Sequence, residues 1–502
     1  MAFIDEVKER IEENKDQLIE LLSEQIKINS VQTKAYKAKD GSIYPFGKGV
    51  QEAFEHMLEY GKDNGFETFN ADNYGGHLEW GGKILDENGL IKETNDQCLG
   101  ILGHLDVVPV GDESQWKYGP FSAHIDEDNF IHGRGTQDDK GPLVACLFAL
   151  KTMKDMGYMP AKKIRLIIGL DEEQGWSGMN YYKKQVKMPD FGFTPDSAFP
   201  VVNGEKGIAT FDLVKKFEKA PAGGVVLKSV EGGMASNMVA GHCRALITAD
   251  DKLVYDHIRE MVKNYELGGE SYGRPWSIKA KGVGKSLEIT TSGLEVHGAR
   301  PWEGMNAITI MMDFLKNINF ANESANEAID FYNKYIGFKV YGENMDCAYE
   351  DEHSKLTWNV GLCKFDEEAA SFTCNVRVPV SLKLNQFYEM ISDVIDKGGM
   401  GIVKSEGSEP FYYSPEHPLI KALLETYVAN GGSPEDQAIV AGGVSYAKAM
   451  DNAVAYGALF PEDGDYMHQV DERASVDRLV QITKLYAEAI YKLSSTQDIF
   501  WE

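Results

Sequence analysis

The sequence predicts an α/β domain with a mostly parallel central sheet, interrupted by an inserted α+β domain. Three observations carry this reading. Over the first two hundred residues, apolar runs of strand length alternate with amphipathic helical stretches. From about Ile208 to Glu409, strand-like runs dominate and helices are fewer. From Pro415 onward the helix–strand alternation resumes.

The elements follow in chain order. The opening stretch, MAFIDEVKERIEENKDQLIELLSEQIKI, sets apolar residues at helical spacing among charges. It predicts an amphipathic surface helix, because a signal peptide needs an uninterrupted apolar segment. A second helix is expected over Lys48–Asn64, and the apolar run QCLGILGH forms a strand leading into His104. The loop GRGTQDDKG precedes a helix whose body is PLVACLFALKTMKDMG. The strand KKIRLIIGLDEE then runs into the helix GWSGMNYYKKQV. In sheets of this type functional groups gather at the carboxyl ends of strands, where His104, Asp106, Glu172 and Glu173 all lie. Within the insertion, ATFDLVKKF, KSLEITTSG, LTWNVGLCKF and SFTCNVRVPV read as strands and Ala307–Ile318 as a helix. The insertion is long enough for two ferredoxin-like units. EHPLIKALLETYVANGG is helical again. The boundaries expected are 1–207 and 410–502 for the interrupted domain and 208–409 for the insertion.

Composition limits the partners. A chain of 502 residues exceeds one ordinary core, which agrees with two domains. Its net charge of -27 argues against nucleic acid or an anionic membrane surface as a partner. Six scattered cysteines without a C-x-x-C pair suit reduced thiols in a cytoplasmic protein. No apolar run reaches membrane-spanning length.

Several motifs fail on inspection. GVGKS lacks the first glycine of a phosphate loop, because Lys279 stands there. GRGTQD has Asp138 where a dinucleotide fingerprint needs its third glycine. No G-x-S-x-G elbow marks a serine nucleophile. The acidic positions and two histidines are more informative. In GHLDVVP, His104 and Asp106 stand two residues apart at a strand end, so both side chains leave one face. That spacing suits a metal-binding imidazole oriented by a carboxylate, although a satisfied His–Asp pair is the plainer reading of two residues alone. Asp138 and Asp139 sit between a Gly-rich turn and a helix start, where an N-cap would need only one of them. Glu172 and Glu173 end an apolar strand, and by spacing alone a solvated pair is the plainer reading. The functional reading gives one to a metal and leaves the other as a base. Asp196 in FTPDSAFP and His468 in YMHQVDE complete the possible set.

Taken in order, GHLDVVP, GRGTQDDKG, LDEEQGWSG, TPDSAFPVVNGEKG, VHGARPWEGMNA and HQVDE resemble the metallopeptidase family that includes carboxypeptidase G, aminoacylases, succinyl-diaminopimelate desuccinylase and carnosinases. Within it the chain is most similar to bacterial dipeptidases of the peptidase V, or Xaa-His dipeptidase, type. The resemblance implies a zinc-peptidase-like catalytic domain with the insertion as its lid. It also implies two divalent metal ions. Asp196 would go with His104, and Glu173 with His468, while Asp138 bridges the pair and Asp106 orients His104. Mixed imidazole and carboxylate ligands suit Zn²⁺, and also Mn²⁺ or Co²⁺. Glu172 would be the general base, and the Asp138–Asp139 peptide bond would be cis.

In the lid, the resemblance gives His297 the role of polarising the scissile carbonyl. Asn237 and Arg377 would bind the substrate's terminal carboxylate, with the backbone at Gly442 and Gly443 facing it. Val444 and the GDYMHQ lead-in to His468 depart from the family's usual pattern. The remaining histidines, His132 among them, read as surface or structural. The function implied is metal-dependent hydrolysis of dipeptides with free N- and C-termini, Xaa-His or β-alanyl dipeptides among them. A long lid that keeps His297 over its own site implies a monomer. The alternatives are an N-acyl-amino-acid deacylase or carboxypeptidase on the same scaffold and, more remotely, a metal-binding protein without turnover.

Overall fold

A computed structural model describes residues 2–86, 90–219, 223–268 and 273–495. The chain divides into two compact units. The first comprises Met1–Asn203, Tyr413–Ile439 and Val444–Glu502; the second comprises Gly204–Tyr412 and Val440–Gly443.

The first unit is built on a sheet whose centre is parallel. Ala453–Ala455, Phe191–Thr194, Cys98–His104 and Lys163–Gly169 run parallel in that spatial order. The antiparallel strands Gly75–Gly81 and Glu67–Asn70 extend it beyond Lys163–Gly169. Every residue of Cys98–His104 is buried, which explains its unbroken apolar run: a central parallel strand is covered on both faces. The helix Lys140–Asp155 is buried almost throughout for the same reason, packing against Val476–Leu493 and the two N-terminal helices. Register sets His104 beside Gly169, so the loops after both strands leave the sheet at one level.

The N-terminal stretch departs from expectation. It forms two helices, Phe3–Glu13 and Lys15–Lys27, joined at Asn14. Val7, Ile11, Leu18, Leu22 and Ile26 are buried, so the apolar stripe is a core contact as well as one side of a surface helix. The helix expected over Ala307–Ile318 closes at Leu315. Lys48–Asp63, Ser177–Gln185 and Pro418–Ala429 are helical where the periodicity places them.

The second unit carries one eight-stranded sheet, antiparallel at every pairing. Its two halves are both ferredoxin-like, and one is nested inside the other. Gly207–Lys216, helix Glu323–Tyr335, Thr357–Phe365, Ala369–Val378, helix Leu384–Lys397 and Gly401–Ser408 form a βαββαβ unit. Between its first strand and first helix the chain inserts Val225–Gly232, His242–Ala249, helix Lys252–Gly268, Ser277–Val283, Ser286–Ser292 and helix Ala307–Leu315. These inserted elements form a circularly permuted version of the same order. Val225–Gly232 pairs with Thr357–Phe365 and joins the halves. The core beneath is aliphatic and aromatic, with Phe211, Ile289, Met311, Trp358, Phe372 and Phe387 all buried.

All six cysteines are buried and unpaired. No helix among the described residues is long and apolar enough to cross a membrane.

Candidate metal centre

The carboxyl ends of the parallel strands supply the first group of side chains. His104 is the last residue of its strand and is fully buried. Its Nδ1 lies 2.9 Å from the backbone carbonyl oxygen of Asp106 and 3.5 Å from the Asp106 carboxylate. The carbonyl therefore makes the closer contact with the ring. The Asp106 carboxylate accepts the backbone N–H groups of Glu172 and Glu173, each at 3.1 Å. Asp106 thus contacts the imidazole mainly through its backbone and pins the neighbouring glutamate turn through its carboxylate.

Asp138 and Asp139 lie between the Gly-rich turn and the helix Lys140–Asp155, and the bond joining them is cis, as the resemblance implies. Asp139 occupies the N-cap without accepting a capping hydrogen bond. Its Oδ2 instead accepts the His104 N–H at 3.1 Å. Gly103 is what permits this approach, since a Cβ there would sit 2.3 Å from that oxygen. Asp196 follows the strand Phe191–Thr194. His468 sits in a turn with φ of 62°, a left-handed conformation uncommon outside glycine.

Among the described residues these side chains form two clusters that share Asp138. In one, His104 Nε2 lies 3.0 Å from Asp138 Oδ1 and 3.6 Å from Asp196 Oδ2. In the other, His468 Nε2 lies 2.8 Å from Asp138 Oδ2 and 3.2 Å from Glu173 Oε1. Ligand atoms within each cluster all lie within 4.8 Å of one another.

The electrostatics leave negative charge unanswered. Burial, then the Asp196 carboxylate, pushes Glu172 well above the usual carboxylate range. Burial and Asp138 raise Glu173 and Asp196 as well, opposed in part by His468 and His104 respectively. For Asp138, burial works against ionisation, but His104 and His468 outweigh it and hold the group low. Asp138 and Glu173 push His468 up to about 11. For His104, burial is outweighed by Asp106, Asp138 and Asp196, which raise it well above its ordinary value. His104 Nε2, Asp138 Oδ1 and Glu173 Oε1 are buried without a hydrogen-bond partner. Converging orphaned lone pairs in a carboxylate-rich pocket are what divalent cations satisfy, so the donor set fits two such ions.

Two supporting residues were not singled out by sequence reasoning. Glu472, fully buried, accepts the N–H groups of Gly135, Gln137 and Asp138 at 3.1, 2.9 and 3.3 Å on Oε1. Its Oε2 takes Arg134 Nη1 at 2.7 Å, and Arg134 Nη1 also donates to the carbonyl of Gln469 at 3.0 Å. This buried pair ties the loop holding Asp138 to the loop holding His468. Both residues lie inside recognised motifs, but their spacing gave no sign that they pair across 338 positions. His132 Nε2 donates to the Asp126 carboxylate at 2.9 Å and belongs to neither cluster, in keeping with a structural role.

The second unit holds the other candidates. His297 is exposed, and its Nδ1 lies 3.3 Å from the Ala299 N–H. The Asn237 carbonyl accepts the Gly298 N–H at 2.6 Å, which joins the Asn237 and His297 segments. Asn359 Nδ2 donates to the carbonyls of Ser236 and Met238 at 3.1 and 2.8 Å, gripping both sides of Asn237. Sequence reasoning missed Asn359, which lies mid-strand with no motif around it. Arg377 is 3% exposed, and its Nη1 donates to the Gly442 carbonyl at 3.1 Å. Burial lowers Arg377 to about 10, and its Nε has no hydrogen-bond partner. His297, Gly442 and Gly443 line one cavity of about 550 Å³ together with Lys206.

Comparison with known proteins agrees with this chemistry. The profile described as Peptidase family M20/M25/M40 matches residues 100–492. A protein named "Putative dipeptidase" from Staphylococcus epidermidis is 33% identical over 497 residues, covering 97% of this chain and 99% of its own. "Putative dipeptidase YtjP" of Bacillus subtilis is 34% identical over 487 residues, covering 96% and 98%. Human carnosine dipeptidase 1 shares the fold, with a TM-score of 0.53 at 15% identity over 98% of this chain and 99% of that one. With the profile spanning most of the sequence and full-length relatives above 30% identity, the chain belongs to peptidase family M20/M25/M40 and is a hydrolase of the metallopeptidase type.

Proposed function

We propose that this protein is a dipeptidase that hydrolyses short peptides with a free N-terminus and a free C-terminal carboxylate. The observation that supports this most is the pair of clusters sharing Asp138, with the raised Glu172 carboxyl beside them. The names of the full-length relatives favour dipeptides as the substrate class.

His104, Asp138 and Asp196 would hold one divalent ion, and Asp138, Glu173 and His468 the second. Zn²⁺ suits the donors best, with Mn²⁺ or Co²⁺ as alternatives. Bound ions in such a site lower the pKa of water and stabilise negative charge on a carbonyl oxygen. Glu172 accepts a proton from the attacking water and passes it to the leaving amine nitrogen as the C–N bond breaks. Its backbone N–H, held by Asp106, fixes where that carboxyl stands. Arg377 and Asn237 would bind the terminal carboxylate, and the backbone at Gly442 and Gly443 would face it. His297 would polarise the scissile carbonyl. The active form is taken to be a single chain, which light scattering checks.

The test is to strip the protein with chelator and restore Zn²⁺, Mn²⁺ or Co²⁺ separately. Each form is then assayed on dipeptides, tripeptides and N-acyl amino acids. Dipeptide cleavage that depends on the restored ion supports the reading. Cleavage of N-acyl amino acids without dipeptides overturns it in favour of a deacylase.

A further inference from the structure

The cavity of about 550 Å³ in the second unit has a wall the reaction has not yet used. Trp302 and Tyr341 both line it and stack on each other, with ring centroids 6.1 Å apart and planes 24° from parallel. Trp302 lies in the short turn Pro301–Glu303 and is 36% exposed. An indole that lines a concave surface and keeps part of its ring open to solvent offers a flat apolar face to a bound group. Pro301, directly before it, is buried and fixes the turn that presents the ring.

The charged groups around the cavity are largely answered by their neighbours. Arg300 pairs with Glu303 at 3.6 Å, and Lys355 with Glu350 at 3.2 Å. Lys206 Nζ donates to the Lys355 carbonyl at 2.6 Å. Arg377 reaches the same region through the Gly442 carbonyl. Among these groups the paired aromatic face is an apolar surface open to a bound side chain.

We propose that this cavity receives the C-terminal residue of the dipeptide and that Trp302, backed by Tyr341, selects flat side chains there, either aromatic or imidazole. The inference rests on the dipeptidase reading above and deepens it by naming the substrate class. A planar side chain stacks on the indole and is shielded from water by it, whereas a methyl gains almost none of that contact.

The test compares Ala-Phe, Ala-His, Ala-Ala and Ala-Glu with the metal-loaded enzyme and with the variants Trp302→Ala, Trp302→Phe and Tyr341→Ala. The intact enzyme should favour Ala-Phe and Ala-His over Ala-Ala by about tenfold or more in kcat/KM. Trp302→Ala should remove most of that preference through KM and leave Ala-Ala within about twofold, because the indole touches only the side chain. Trp302→Phe should restore much of it, and Tyr341→Ala should give a smaller loss in the same direction. Equal losses on Ala-Phe and Ala-Ala would overturn the inference, as would a preference for Ala-Glu over Ala-Phe. An intact enzyme that cleaves all four alike defeats the side-chain selection alone. One that cleaves none of them defeats the dipeptidase reading itself.

Discussion

In the first unit, the carboxylates of Asp138, Glu172, Glu173 and Asp196 crowd around two imidazoles, and burial raises three of the four above their ordinary range. In the second, His297, Lys206 and Trp302 border a cavity, and the cations there are paired with carboxylates or backbone carbonyls. The contrast separates two kinds of site. The clusters that share Asp138 are rich in carboxylates and hold buried polar atoms without a hydrogen-bond partner, a donor set that fits cations. In the cavity the lining cations have partners within the chain, and the surface adds shape and an aromatic face. On the proposed reading, chemistry belongs to the first kind of site and selection to the second.

The largest expected effect tests that division at the base. Glu172→Gln should lower kcat by about 10²–10⁴-fold, the usual range for a general acid–base, while metal content measured by elemental analysis stays unchanged. Glu173→Gln should instead lose metal, because it removes an oxygen from the Asp138–Glu173–His468 cluster. If metal is lost in the Glu172 variant and kept in the Glu173 variant, the two roles are exchanged.

A smaller effect is expected one layer out. Glu472→Gln keeps an acceptor for the N–H groups of Gly135, Gln137 and Asp138 but weakens the ion pair with Arg134. Metal affinity or kcat/KM should fall by about 10–100-fold, the range typical of groups that hold ligands in place. Added metal should recover part of the activity in this variant and none in Glu172→Gln. Unchanged metal affinity and activity would show that the loop carrying Asp138 needs no such anchor.

In the second unit, Asn359→Ala frees the carbonyls on either side of Asn237. KM for dipeptides should rise by about fivefold to thirtyfold, with metal content intact, as one or both lost hydrogen bonds, at about 1 kcal/mol each, loosen that segment. A fall in metal content would break the separation between the two kinds of site.

The smallest effect concerns pH. Burial lowers Lys206 to about 8 from its ordinary 10.5, with Asp351 opposing and Arg377 assisting. The ammonium is therefore present in the folded protein below about pH 8 and is lost as pH rises through it. An anionic substrate should then bind a few-fold more weakly above that pH, seen as a rise in KM. Lys206→Met should flatten the rise. The sign for stability is the reverse: between about 8 and 10.5 the folded protein has shed a proton that the unfolded chain keeps, so this group's burial penalty is relieved as pH rises. A KM profile identical in the intact protein and the variant would remove Lys206 from binding.

Much of the architecture was legible because apolar periodicity reports burial directly. The unbroken run ending at His104 is a central strand covered on both faces, and Gly207–Lys216 and Ala369–Val378 are strands of the inserted unit. The break at Asn14 was not legible, since the helical spacing runs straight through it. Nor was the nesting of one ferredoxin-like half within the other, which depends on the pairing of Val225–Gly232 with Thr357–Phe365.

At the site, the sequence by itself placed His104, Asp106, Glu172 and Glu173 at strand ends, because a buried strand reads directly as an apolar run. That much is local, and chain order preserves it. Only the tertiary structure decided the partners: Asp106 under Glu172 and Glu173, Glu472 beneath Asp138, Asn359 around Asn237, and Trp302 against Tyr341. The physical reason is range. A hydrogen bond or a stacked ring pair acts over a few ångströms in space whatever the separation along the chain, so which residues pair to hold a site in place is not written in the local sequence.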